Sequence, residues 1–151
     1  MSVESKFKIA EPEIITQFAE LYQSLNKDNL NRLSEVYSDD IVFIDSTHEL
    51  QGIAKLTEYF EGLYSNLEYC RFDIKHIQSS ESGHAFLTWQ MNYAHPKLAG
   101  GKDIVVDGAT DLMFEEKIIY HRDYIDMGQM LYEQIPVLGS IIRYIKKKAI
   151  S

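Results

Sequence analysis

The apolar residues of this chain change their spacing once, and that change limits the folds open to it. As far as residue 64, one short run at 41–45 apart, they recur at helical intervals. Ile14, Ile15, Phe18, Leu21, Tyr22 and Leu25 make one stripe, Leu30, Leu33, Val36 and Tyr37 a second, and Leu56, Tyr59, Phe60 and Leu63 a third. Glu11, Pro12 and Glu13 suit the opening turn of the first helix, Asp28 is placed to cap the second, and Gly52 opens the third. Beyond residue 67 the pattern alternates, in runs at about 68–78, 83–95, 104–116 and 117–126. A short strand, Ile41 to Asp45, follows Ser38, Asp39 and Asp40, which end the second helix. Helices first and an antiparallel run afterwards predict an α+β fold, with enough sheet to bend around the helices.

The last run is unusual for a buried strand. Ile118, Ile119, Tyr120, Tyr124 and Ile125 give it strand composition, yet it also holds Lys117, His121, Arg122, Asp123 and Asp126. Alternation puts His121, Asp123 and Ile125 on one face and Tyr120, Arg122, Tyr124 and Asp126 on the other. If the first face looks inward, an imidazole and a carboxylate lie side by side in apolar surroundings, where charge is costly unless paired or used. They then form a candidate acid/base pair. An edge strand whose charges only pair with neighbours satisfies the same pattern.

Asp45 raises a similar question. With Ile41 and Phe43 facing inward it sits at the rim of the core, where desolvation would raise its pKa towards the range of a general base. As a turn residue it would instead hydrogen-bond the backbone that leaves the strand. On the later strands, Trp89 shares a face with Leu87 and Met91, and Val106, Gly108, Thr110, Leu112 and Phe114 form the interior set, with Thr110 its only hydroxyl. His48, His76, His84 and His95 are scattered and read as surface or turn residues.

Composition narrows the functions. With 151 residues the chain is a single domain, residues 1–151, including a polar extension at 1–10 and a C-terminal helical extension at 127–151. A net charge of −8 argues against nucleic-acid binding. Cys70, the only cysteine, can form no internal disulfide, and no apolar run has signal-peptide length or the about 18 residues of a membrane span, so a cytoplasmic protein is expected. No Cys/His metal spacing, Gly-rich phosphate loop or serine elbow occurs, which predicts no metal and no cofactor.

Tyr37 to Asp45 (YSDDIVFID), Gly52 opening a helix, and the strand pair TDLMFEEKII leading into HRDYID together resemble the SnoaL-like and ketosteroid-isomerase-like branch of the nuclear transport factor 2 superfamily. The likeness runs from about Ile14 to about Tyr132. It implies a cone-shaped curved mixed or antiparallel sheet wrapped around the N-terminal helices, here with an extra amphipathic C-terminal helix. It places Asp45 at the isomerase general base, and His121 and Asp123 where SnoaL-type cyclases are expected to carry acid/base groups. Thr110 stands where the isomerases have a protonated aspartate, and Tyr22 is off the register of their helix tyrosine, which argues against steroid isomerisation as such. The implied cavity holds Asp45, His121 and Asp123 within walls of Phe18, Tyr22, Phe60, Trp89, Met91, Thr110 and Leu112. It would serve a cofactor-independent isomerase, cyclase, dehydratase or epoxide hydrolase acting on a small hydrophobic molecule. Two non-catalytic readings stand beside it: a module that binds a small hydrophobic ligand, and a homodimer formed through the outer sheet face that bears Asp107, Arg122 and Tyr124.

The tail is a separate feature. Asp126 is placed to cap a helix over 127–135, and Pro136 begins the next segment. Leu138, Ile141, Ile142 and Ile145 then form a helical stripe among Arg143, Lys146, Lys147 and Lys148. Residues 136–151 carry those four cations and no acid, which leaves the rest of the chain at −12. Such a helix fits a membrane surface, and it equally fits packing over its own domain, where it could close the pocket mouth, or over a dimer mate.

Overall fold

Pro12 leaves an extended backbone and lets the chain enter helix α1, Glu13–Ser24, whose stripe of Ile14, Ile15, Phe18, Leu21 and Tyr22 is buried in full. The computed structural model describes residues 11–151, so the polar extension expected at 1–10 lies outside the described residues. After α1 the chain makes a 3₁₀ turn, Leu30–Arg32, and the single-turn helix α2, Leu33–Val36. This second helical segment is shorter than its apolar spacing suggests. The residue before the turn is Asn29 rather than Asp28, with no side-chain cap, and Tyr37 already begins strand β1, Tyr37–Ile44. Strand β2, Glu49–Gln51, and helix α3, Ile53–Ser65, follow.

The long strands come next: β3, Tyr69–Ser80; β4, His84–Ala94; β5, Ile104–Phe114; and β6, Ile118–Ile125. Together the six strands form one sheet in the order β2-β1-β6-β5-β4-β3. Every neighbouring pair is antiparallel except β1 and β6, which run parallel. The sheet is therefore mixed, and it curves over α1 and α3 as the resemblance implies.

Register then decides which side chains meet. Leu112 lies opposite His121 and Thr110 opposite Asp123 across β5 and β6, while Phe43 lies beside His121 across β1 and β6. Ile41, Phe43, Leu87, Val106, Leu112, Ile118 and His121 all lie under the concave face with almost no exposed surface. Gly108 is required there. It lies opposite Trp89, and a Cβ on it would fall 2.2 Å from the indole ring. The flat approach that glycine allows directs the indole N–H towards Thr110.

After β6, Asp126 accepts a hydrogen bond from the Gln129 N–H at 3.1 Å and starts α4, Met127–Met130. The helix expected as far as residue 135 stops there and becomes a 3₁₀ turn, Tyr132–Gln134. Helix α5, Leu138–Ala149, ends the fold. Its apolar stripe is not folded over the domain: Ile141 and Ile145 are 48% and 54% exposed.

Candidate functional site

Under the concave face, six side chains form one continuous hydrogen-bonded chain. Tyr22 Oη lies 2.5 Å from Tyr37 Oη, and Tyr37 Oη lies 2.7 Å from His121 Nδ1. His121 Nε2 lies 2.7 Å from Asp123 Oδ1, which also accepts from the Thr110 hydroxyl at 2.6 Å. Trp89 Nε1 completes the chain, donating to Thr110 Oγ1 at 2.8 Å.

Donor chemistry fixes the direction of two of these bonds. An indole N–H can only donate, so Thr110 Oγ1 accepts from Trp89 and turns its own proton to Asp123. Asp123 Oδ1 accepts from Thr110, and on the tautomer that carries its proton at Nε2 His121 donates to the same oxygen. On that tautomer Nδ1 accepts from the Tyr37 hydroxyl and Tyr37 accepts from Tyr22, so that every hydrogen in the network points towards one carboxylate oxygen. Burial, followed by the Asp123 charge, pushes the Tyr22 phenol well above its ordinary value; burial, followed by Tyr22, does the same to Tyr37. Both therefore remain neutral relays.

Asp123 Oδ1 is fully engaged, while Oδ2 has no hydrogen-bond partner among the described residues. The Asp123 side chain, 16% exposed against 1% for His121, opens onto a cavity of about 360 Å³. That volume lies within the ~300–1,000 Å³ of small-molecule sites. One wall is Phe72, Trp89 and Met91 from the sheet; another is Phe60, Leu63 and Tyr64 from α3; Met127, Met130 and Leu131 from the turn after β6 close a third. Tyr93, which donates to the Met130 carbonyl oxygen, ties that turn to the sheet.

The structure distributes the predicted site residues between this cavity and its surroundings. Asp45 and Asp123 both line it, with Phe60, Trp89 and Met91 on its walls. His121 does not reach it; the ring lies behind Asp123, held between that carboxylate and Tyr37. Phe18, Tyr22 and Thr110 border only a separate void of about 10 Å³, and Leu112 is core, displaced from the wall because its β5 position faces His121. His48 and His95, read as surface or turn residues, border the large cavity as well.

Asp45 is not the desolvated base that its place at the rim suggested. Burial acts to raise its pKa, but the hydrogen bonds outweigh it and hold the carboxyl below the ordinary value of 3.8. Tyr59 donates to Oδ2, and the Thr47 N–H at 2.8 Å, the His48 N–H at 2.7 Å and the Thr47 hydroxyl at 3.1 Å donate to Oδ1. This is the turn arrangement that keeps an aspartate charged, and it anchors Tyr59 at the cavity edge.

Tyr37, Tyr59, Tyr64 and Cys70 also take part in the site, although spacing and composition do not mark them for it. Tyr37 shares the odd-number parity of Ile41 and Phe43, and carrying the strand back to residue 37 would have turned it inward. The Tyr64 hydroxyl is buried on the cavity wall beside the Cys70 thiol, with no hydrogen-bond partner of ordinary geometry among the described residues. Burial pushes the Tyr64 phenol up and the Cys70 thiol to about 12, so both carry their protons at neutral pH.

Residues 18–121 match a protein family described as the SnoaL-like domain. No curated protein matches the chain by sequence. Among solved structures, a hypothetical protein of ketosteroid-isomerase-like fold from Catenulispora acidiphila, in complex with trimethylamine, superposes with a TM-score of 0.69 at 18% identity, over 83% of this chain and 93% of that one. An NTF2-like protein of unknown function from Burkholderia pseudomallei gives 0.71 at 10% identity, over 84% and 100%. A protein from Acidithiobacillus ferrooxidans, provisionally assigned as a polyketide cyclase, gives 0.65 at 23% identity, over 89% and 97%. At these identities the likeness shows the fold alone.

Proposed function

The chain belongs to the SnoaL-like domain family, and on that footing we propose that it is a cofactor-independent proton-transfer enzyme for a small hydrophobic molecule, with Asp123 as its base. The observation that carries this reading is the carboxylate at the end of the buried chain. Asp123 Oδ1 is held by His121 and Thr110, its other oxygen has no hydrogen-bond partner among the described residues, and the residue lines a mostly apolar cavity. A carboxylate held on one side and free on the other is oriented to act on a bound molecule.

In the step proposed, Asp123 Oδ2 takes a proton from a carbon next to a substrate carbonyl. The C–H electron pair moves into an enolate, and the neutral carboxylic acid then returns the proton to the same or another carbon. Tyr64, on the same wall, keeps its proton and stays neutral beside the enolate. His121 is a positioning residue: it fixes Asp123 and couples it to Tyr37 and Tyr22. Asp45 keeps its negative charge and positions Tyr59, so a second anion lines the cavity without competing for the proton.

A deuterium-exchange assay tests this and does not need the natural substrate. A panel of small apolar enolisable ketones is incubated with the protein in D₂O, and α-proton loss is followed by NMR. At least one ketone should exchange, and Asp123→Asn should slow it by a factor of about 10² to 10⁴ while leaving the fold intact. Exchange no faster than the buffer rate across the panel, together with tight binding of the same ketones, would make the cavity a ligand-binding site and not a catalytic one. Equal exchange by Asp123→Asn would remove Asp123 as the base.

A further inference from the structure

We propose that α5 docks on an anionic lipid surface, with its apolar stripe in the acyl boundary and Lys148 among the headgroups. At 3.6 residues per turn, Leu138, Ile141, Ile142 and Ile145 share one side of the helix, Lys146 and Lys148 stand at its two edges, and Lys147 is opposite. A stripe of this kind is normally covered by the domain that carries it. Here Leu138, Ile141 and Ile145 are 37%, 48% and 54% exposed.

The cause is the side by which the helix is held. Gly139 packs so closely on Glu133 that a Cβ would come within 2.5 Å of its carbonyl oxygen. Arg143 Nη1 donates to the same carbonyl oxygen at 3.0 Å, and Lys146 Nζ donates to Glu133 Oε1 at 2.6 Å. Residues 139, 143 and 146 are four and three apart, so the three contacts lie on one face. The body grips α5 by a polar flank; Ile142, beside that flank, is half-buried, and Leu138, Ile141 and Ile145 are left turned out.

Charge selects the occupant. Residues 136–151 hold four cations and no acid. Lys146, at one edge of the apolar stripe, is held by Glu133, while Lys148 at the outer edge matches a bilayer surface, where the stem runs along hydrocarbon and the ammonium group stays with the phosphates. Tyr144, 62% exposed with Lys148 Nζ 6.0 Å from its ring centre, has the amphipathic character of a residue at that boundary. The −12 on the rest of the chain is repelled by anionic lipid, so contact is confined to α5. No helix of the described residues is long and apolar enough to cross a membrane, so the docking is peripheral.

Flotation of the full chain with vesicles of phosphatidylcholine, with and without phosphatidylserine, tests the proposal separately from any catalysis. Binding is expected to the phosphatidylserine vesicles, weakening as salt rises. Lys147→Glu with Lys148→Glu should lower it by about tenfold or more, and Ile141→Asp with Ile145→Asp should abolish it. All four positions are exposed, so the variants should fold; circular dichroism checks that. Three results would overturn the proposal. They are no flotation with phosphatidylserine vesicles at low salt, flotation unchanged by Ile141→Asp with Ile145→Asp, or self-association in light scattering that this pair abolishes while the wild-type chain ignores vesicles. The last would assign the stripe to a second copy of the chain.

Discussion

At the scale of single residues, the site depends on the donor-only Trp89 N–H. It commits Thr110 to donate to Asp123, and the carboxylate then holds His121 by its Nε2 proton. Thr110→Val keeps the shape and removes both roles at once. The variant should lose roughly 1–3 kcal/mol, the range for orphaning a buried polar partner, and should shift the emission of Trp89, the only tryptophan in the chain. Chemical unfolding followed by fluorescence reads both quantities. An unchanged emission maximum together with unchanged stability would mean that the indole bond does not hold the network.

At the scale of elements, the sequence was informative where one period persisted and silent where two overlapped. In β6 the alternation of apolar and ionisable residues correctly turned His121 and Asp123 inward, and β5 likewise turned Val106, Thr110 and Leu112 inward. Tyr37 escaped because it lies where a helical stripe passes into a strand: residues 30, 33, 36 and 37 read as helix, while 37, 41 and 43 share strand parity. A register shift between Tyr37 and Val42 blurs that parity further. The depth of His121 behind Asp123 was also illegible. Alternation states which face a side chain takes, but it does not state which neighbours stand between that side chain and the cavity. Nor could the sequence tell that Asp45 is charged by its turn, because burial and hydrogen bonding act on it with opposite signs. For α5 the stripe was plain from spacing, whereas the side by which the domain grips it depends on Glu133, ten residues from Arg143, and on a close approach that only Gly139 allows.

At the scale of the whole molecule, the concave face buries groups that fold protonated. Burial raises Tyr22, Tyr37 and Tyr64, and lifts Cys70 from 9.0 and Tyr93 from 10.0 to about 12 each. Above the ordinary values, the unfolded chain releases protons that the folded chain keeps. Stability is therefore complete below about pH 9 and falls as pH rises from there towards 12. Urea unfolding at increasing alkaline pH should show this decline, and a flat profile would contradict the burial of those groups. The protein is thus a family scaffold whose concave side carries a polar chain, ending at Asp123, one of two carboxylates on a mostly apolar cavity. NMR of protein with ¹⁵N-labelled histidine, the signal assigned by its loss in His121→Gln, tests this most directly. At neutral pH His121 Nε2 should carry a proton, and its shift should move in Asp123→Asn; a ring bare at Nε2 and protonated only at Nδ1 would contradict the chain.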